Sequence, residues 1–242
     1  MDLCFRCVLF GFNVVGEEFY ISQRQKDYKV VQNTYLEIYR NQFGNVPRHH
    51  GVLSYNFEDS LRNCMARTKL VALYSYAIPT DEAIRFIASQ SPIVSIGSGR
   101  GYWESLVAQA GGDVICYDSQ IIDDGKWIIY SADETTDPVE TYHPTRLGDA
   151  LCTKDHPDRT LFLCWPPYDN PMAFDALHIH RLAGGTKVIY IGEGWGGCTG
   201  DDNFHNELNT YYDCEKTIEI PQWYGLHDKL EMYTLKVLGE KI

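Results

Sequence analysis

From residue 80 onward the apolar and polar positions alternate between short apolar runs and stretches with helical spacing. Thr80 offers a cap, and Asp81 and Glu82 first-turn acids, for a helix to Ser89 whose Ala83, Ile84 and Ile87 can face a sheet. Pro92 to Ile96 is an apolar run ended by glycines, Tyr102 to Ala110 has helical spacing, and Asp113 to Tyr117 is a second apolar run. Strand, helix and strand in that order predict a βαβ unit, since parallel strands need a crossover. A third strand is expected at Val139 to Tyr142, a helix at Thr145 to Leu151, a fourth strand at Thr160 to Trp165 and a helix after Pro171. A fifth strand at Thr186 to Ile191, a helix at Asp202 to Tyr211 and strands at Thr217 to Ile220 and Leu230 to Val237 complete the pattern. Only Pro221 to Asp228 separates the last two strands, so they are expected to pair antiparallel at one edge.

Upstream, a short helix is expected from about Asn33 to Phe43. After the turn-like Gly44-Asn45-Val46-Pro47, a longer helix from Glu58 to Tyr76 carries apolar Leu61, Met65, Leu70, Leu73 and Tyr74, and Pro79 ends that segment. The chain thus divides into an aromatic-rich extension over 1–45, a helical segment packed on the core over 46–90, and an α/β domain over 91–242.

Where the first strand meets its helix the chain reads Ile96-Gly97-Ser98-Gly99-Arg100-Gly101. Glycines at such a turn permit open dihedrals and let a ligand touch the main chain. The dinucleotide fingerprint needs a third glycine three positions after the second, where Tyr102 stands here, so the spacing is GxGxG. An amino acid joined to an adenosine suits this turn and the helix N-terminus better than a pyrophosphate does. Asp118, just past the second strand, is placed to accept hydrogen bonds from ribose hydroxyls.

These residues resemble the class I S-adenosylmethionine-dependent methyltransferases, over about Ser91 to Ile242. The resemblance implies a Rossmann-like α/β fold with a seven-stranded, mostly parallel sheet, an antiparallel C-terminal hairpin and added N-terminal helices. It implies S-adenosylmethionine over strands one to three, held by Ser95, Gly97, Ser98, Gly99, Gly101 and Asp118, with substrate over strands four and five. The family usually carries an acid two residues before the first glycine, where this chain has Ser95, which cannot supply that charge.

The fourth strand ends in Trp165-Pro166-Pro167-Tyr168-Asp169, similar to the fourth motif of amino-group methyltransferases. That likeness implies a Pro166 carbonyl that accepts from a target amine and a Tyr168 ring that stacks on a planar substrate. Two prolines have no backbone donors and hold their carbonyls at a strand end. The family's polar residue before Pro-Pro is Trp165 here, and an indole is a donor only. Pro166, Tyr168 and Glu193 are therefore the candidate catalytic residues, and Trp165, Pro167, Asp169 and Trp195 the candidate substrate contacts. The loop Gly192 to Asp202 holds Glu193 and Trp195 among five glycines, and reads either as a lid or substrate wall or as a surface connection whose Asp201 caps the next helix.

A net charge of -12 repels nucleic-acid backbones on average and favours small-molecule or protein partners, though a local basic patch is compatible with it. The leading expectation is N-methylation of a planar amine such as a nucleobase in RNA or DNA. The rival is a catalytically silent member of the fold that binds a nucleotide, an RNA cap or a protein, and a nicotinamide oxidoreductase is least favoured. Expected partners are the small-molecule cofactor, RNA or a nucleotide, and a protein that meets the N-terminal extension. No run approaches the roughly 20 apolar residues that span a bilayer, and Cys7 to Val15 lacks signal-peptide flanks, so a cytoplasmic protein without a membrane partner is expected. The eight cysteines read as buried, reduced thiols, and Cys4 and Cys7 lack the second pair a zinc site needs, so no metal is expected. The histidines show no partner spacing.

Overall fold

The computed structural model describes residues 31–44, 57–122, 125–128 and 138–236. Cys4, Cys7, the His49-His50 pair and most of the 1–45 extension lie outside the described residues. Three helices come first: α1 (Thr34–Phe43), α2 (Phe57–Leu73) and α3 (Asp81–Ser89). Asn33 caps α1 by accepting from the Leu36 N–H, and Thr80 caps α3 by accepting from the Ala83 N–H, so both starts follow the rule that short polar side chains satisfy first-turn donors. Tyr35, Leu36 and Tyr39 are at most 2 % exposed. Burying side chains of this size contributes about 1.5–3 kcal/mol each, which makes α1 part of the core.

The remaining elements are β1 (Ile93–Ile96), α4 (Tyr102–Gln109), β2 (Val114–Asp118), β3 (Thr145–Leu147), a 3-10 turn (Ala150–Asp155), β4 (Thr160–Cys164), α5 (Met172–Leu182), β5 (Lys187–Gly192), α6 (Asp202–Tyr211), β6 (Tyr212–Glu219) and β7 (Lys229–Leu235). They form a seven-stranded sheet in the order β3-β2-β1-β4-β5-β7-β6. β1 to β5 run parallel, β7 is antiparallel to β5 and to β6, and the fold is a Rossmann-like α/β sheet closed by an antiparallel hairpin.

Both faces of the sheet are covered. Phe162, Ile189 and Ile191 pack with α1, α3 and α4 on one side, while Leu161, Leu163, Val188 and Tyr190 pack with α5 and α6 on the other. Successive side chains of a strand point to opposite faces, so continuous apolar runs are what a sheet buried on both sides requires.

Expectations in three places are corrected, the first of them covering both a strand and a helix. The third strand is Thr145–Leu147, not Val139 to Tyr142, and Val139 makes only an isolated bridge to Trp127. The parallel register against β2 begins at Cys116 with Thr145, whereas Tyr142 is held by its N–H to the Arg100 carbonyl at 2.7 Å. The helix expected at Thr145 to Leu151 is instead this strand and then the 3-10 turn, which Asp149 caps on the Leu151 N–H. Second, of the apolar positions expected along α2, Leu70 is buried but Leu61, Met65 and Leu73 are exposed, and the polar Asn63 is buried in their place. Third, Cys116 is buried but Cys64 and Cys214 are exposed, so the thiols are not uniformly interior. Among the described residues no helix is long and apolar enough to cross a membrane.

Candidate functional site

The glycine turn sits at the C-terminal end of β1, where parallel α/β sheets present their ligand crevice. Gly97, Gly99 and Gly101 all have positive φ, at 70°, 56° and 71°. Two of them do different work. A Cβ on Gly101 would lie 3.1 Å from the His143 Cβ, so that glycine is needed for close packing, whereas a Cβ on Gly99 would meet nothing within 4 Å. The space above Gly99 is open to a ligand, beside the first turn of α4. The Gly97 N–H donates to the Tyr117 carbonyl at 2.9 Å and the Ser98 N–H to the same oxygen at 3.3 Å, which ties the turn to β2.

Asp118, 7 % exposed, accepts from the Gly99 N–H at 2.7 Å through one oxygen and from the Gln120 N–H at 2.8 Å through the other. Burial pushes its carboxyl up, and those two backbone donors, with the Trp127 indole, offset that shift only in part. The sequence pair of turn and acid is thus one hydrogen-bonded unit. A carboxylate can accept more hydrogen bonds than these, so capacity for a hydroxyl donor remains.

Ser95 lies within β1 at 1 % exposure, and its hydroxyl donates to Glu104 Oε1 at 2.6 Å. Glu104 is in the first turn of α4 and 2 % exposed. A carboxyl thus touches the serine from nine residues on. Burial pushes Glu104 up to about 7, only partly offset by the Ser95 bond. Its sequence signal is an acid inside Tyr102-Trp103-Glu104-Ser105-Leu106-Val107, a helix buried all round. Arg100 fastens the turn outward: it donates to the Leu73 carbonyl at 2.9 Å at the end of α2, where a cation suits the helix dipole, and lies over the Tyr142 ring at 4.7 Å.

At the ends of β4 and β5 the arrangement is different. Trp165 has φ 55°, a left-handed conformation uncommon for a bulky residue, and Asp169 has φ 50°. The Trp165 N–H donates to the Ile191 carbonyl at 2.7 Å, its indole stacks on Tyr76 at 4.8 Å and 8°, and its Nε1 donates to Asp228 Oδ1 at 2.8 Å. The Pro166 carbonyl already accepts from the Gly200 N–H at 3.1 Å, and the Asp169 N–H donates to the Gly200 carbonyl at 3.2 Å. Tyr168 and Trp195 are 67 % and 60 % exposed, so both rings are available to a planar ligand. Pro167, between Pro166 and Tyr168, is also exposed.

Glu193 is fully engaged. Its carboxylate accepts from the Cys198 N–H at 2.8 Å and from the His227 N–H at 2.9 Å, with His227 Nδ1 at 3.2 Å. Burial pulls its carboxyl up, yet these hydrogen bonds outweigh burial and hold it below the ordinary carboxylate range. The glycine-rich loop after β5 closes on itself through Thr199, whose hydroxyl meets the Tyr190 hydroxyl at 2.6 Å and the Glu193 N–H at 2.8 Å. Asp201 caps α6 on the Phe204 N–H at 2.9 Å. Asp228 has no motif that marks it in sequence; it is 0 % exposed and burial pushes its carboxyl up to about 7, with the Glu193 charge adding to the shift.

No family model matches the chain, and no curated protein matches it in sequence. Solved structures do show likeness. A TehB-like SAM-dependent methyltransferase from Corynebacterium glutamicum is 17% identical, with 75% of this chain and 100% of that chain covered, at a TM-score of 0.38. The magnesium protoporphyrin IX methyltransferase of Synechocystis, solved with bound SAM, is 10% identical over 84% of this chain and 97% of that chain, at 0.37. A protein of the NADB-Rossmann superfamily from Streptococcus agalactiae is 11% identical over 66% and 71%, at 0.39. The fold assignment rests on the strand order of the sheet, not on these similarities.

Proposed function

We propose that the chain is a class I S-adenosylmethionine-dependent methyltransferase that acts on the nitrogen of a planar amine, such as a nucleobase in RNA or DNA. The observation that carries the reading is the unit of Gly99 and Asp118: a bare backbone position with open space above it, hydrogen-bonded to a carboxylate at the end of the next parallel strand. Asp118 would accept from the ribose hydroxyls, and the main chain at Gly97, Ser98 and Gly99 would lie against the amino-acid part. Glu104 places a carboxyl behind Ser95. The bound cofactor supplies an activated methyl group. Residues of this chain orient the acceptor: Tyr168 and Trp195 offer faces for stacking, and the second lone pair of the Pro166 carbonyl remains for an N–H donor. Positioning of this kind supplies much of the rate in a displacement between two bound groups.

A second reading, a silent member of the fold that binds a nucleotide, an RNA cap or a protein, is favoured by the state of Pro166 and Trp165. The carbonyl already has one internal partner, and the indole is fixed by a hydrogen bond and a stack. The two readings separate in one experiment. The full chain is incubated with methyl-labelled S-adenosylmethionine and, in parallel, small amines, nucleosides, RNA and DNA. Label in an amine product supports the first reading; binding of adenosylhomocysteine without label in any fraction supports the second.

A further inference from the structure

Helix α2 turns polar side chains inward. Asn63 is 3 % exposed, beside buried Leu70, while Leu61 and Met65 on the outer side are 49 % and 66 % exposed. Asn63 and Arg67 stand four residues apart, hence on one face. Asn63 uses its Oδ1 to accept from the Tyr224 N–H at 3.2 Å, but its Nδ2 is buried without a partner, and so is Arg67 Nε. The Arg67 guanidinium lies 5.8 Å from the centre of the Trp165 ring.

The segment that meets α2 at Tyr224 carries Asp228. One of its oxygens takes the Trp165 indole N–H at 2.8 Å, and the other, Oδ2, is buried with no partner. The Arg67 guanidinium lies over the same Trp165 ring whose N–H this carboxyl takes, yet neither Nε nor Oδ2 has a partner. A buried polar atom without a partner costs about 1–3 kcal/mol, and native structures hold few of them. Here one donor, on Arg67, and one acceptor, on Asp228, flank Trp165, a bulky residue in a left-handed conformation, and a second donor, on Asn63, faces the segment that carries Asp228. Strain of that kind, of order 1–3 kcal/mol, clusters at ligand sites. The indole of Trp165 cannot accept from an amine, but the carboxyl it holds can.

We propose that Asp228, Arg67 and Asn63 form a buried subsite beside Trp165 that takes an amino-substituted heterocycle by an edge on which an N–H donor adjoins an acceptor. Asp228 Oδ2 accepts from the amino group, and Arg67 or Asn63 donates to the neighbouring ring nitrogen. The proposal rests on the methyltransferase reading for the identity of the ligand as methyl acceptor, and it assigns to Asp228 the acceptor role that Trp165 lacks. Entry requires the Tyr76 and Trp165 pair to shift, since Asp228 is fully covered.

The test uses the full chain and calorimetry. Adenosylhomocysteine is titrated first, which reports on the cofactor site alone. With that ligand kept saturating, cytidine is compared with uridine, and adenosine with inosine. The first of each pair presents an amino donor beside a ring acceptor; the second presents the reverse. At least one amino nucleoside is expected to bind tenfold or more tightly than its oxo counterpart. Asp228→Asn keeps an acceptor for Trp165 but turns an N–H toward the ligand, and it should bring that preference below twofold. Arg67→Met, which leaves the indole bond in place, should weaken the same nucleoside about tenfold and carries the test should Asp228→Asn not fold. Equal binding of amino and oxo forms, binding of neither, or a preference unchanged in the variants overturns the subsite. A preference without adenosylhomocysteine binding instead overturns the cofactor reading and leaves the subsite standing.

Discussion

At the ends of β1 and β2 the candidate site is made of backbone, with a bare Gly99, N–H groups of Gly99 and Gln120, and one carboxylate that both of them orient. At the ends of β4 and β5 it is made of side chains: Trp165 against Tyr76 and Asp228, and Glu193 against Cys198 and His227. The first region lies outside the carboxyl ends of the strands, where parallel α/β sheets bind ligands. The second is specific to this chain, and its parts come from four separate stretches. The difference teaches which half tolerates change: a backbone recess depends on few side chains, while an interlocked cluster loses several contacts with each one removed.

The sharpest way to break that contrast is Trp165→Ala. It removes the stack on Tyr76 and leaves Asp228 with no partner on either oxygen, and should lower the unfolding free energy by about 3 kcal/mol or more in urea denaturation. Adenosylhomocysteine affinity should stay within threefold. A large fall in that affinity with unchanged stability would show that the two halves are not separate. Next in size, Asp118→Ala should weaken adenosylhomocysteine about ten- to a hundredfold in calorimetry, since hydrogen bonds to a charged group contribute about 1.5–3 kcal/mol. Unchanged affinity would count against the role of the Gly99 and Asp118 unit. Glu193→Gln keeps an acceptor but loses the charge that serves Cys198 and His227, and should cost about 1–2 kcal/mol in the same denaturation experiment.

The smallest effect is a pH dependence. Glu104 is raised from an ordinary value of 4.5 to about 7, because burial disfavours its charge. Between those values the native state holds a proton that the unfolded chain has released, so stability falls as pH rises through the interval and levels off above it. Asp228, raised from 3.8 to about 7, acts in the same direction. Thermal melting from pH 4 to 8 should therefore show a smaller fall for Glu104→Gln than for the unaltered chain. Equal slopes would mean that Glu104 is charged at neutral pH in the folded protein.

The recess was legible in sequence because its signals are local. Pattern alone places β1, the glycine turn, α4 and β2 within a residue or two, and Asp118 follows from the end of the second apolar run. The third strand was not legible: Thr145–Leu147 has three residues, and only pairing with β2 makes it a strand. Nor was the inward face of α2, where the apolar count points to Leu61 and Met65 but Asn63 and Arg67 turn in to meet Tyr224 and Trp165. Glu104 left a trace, an acid in an otherwise apolar helix, and its partner Ser95 is visible only once β1 and α4 are packed. Asp228 and Tyr76 left none, for they reach Trp165 across 63 and 89 positions of chain.

The central claim, that the turn from Gly97 to Gly101 with Asp118 is an adenosylmethionine-type recess, is tested most directly by calorimetric titration of the full chain with adenosylhomocysteine. Saturable binding at one site is expected, weakened by Asp118→Ala in a variant that melts as the unaltered chain does. No heat of binding up to millimolar ligand from a folded chain would contradict it.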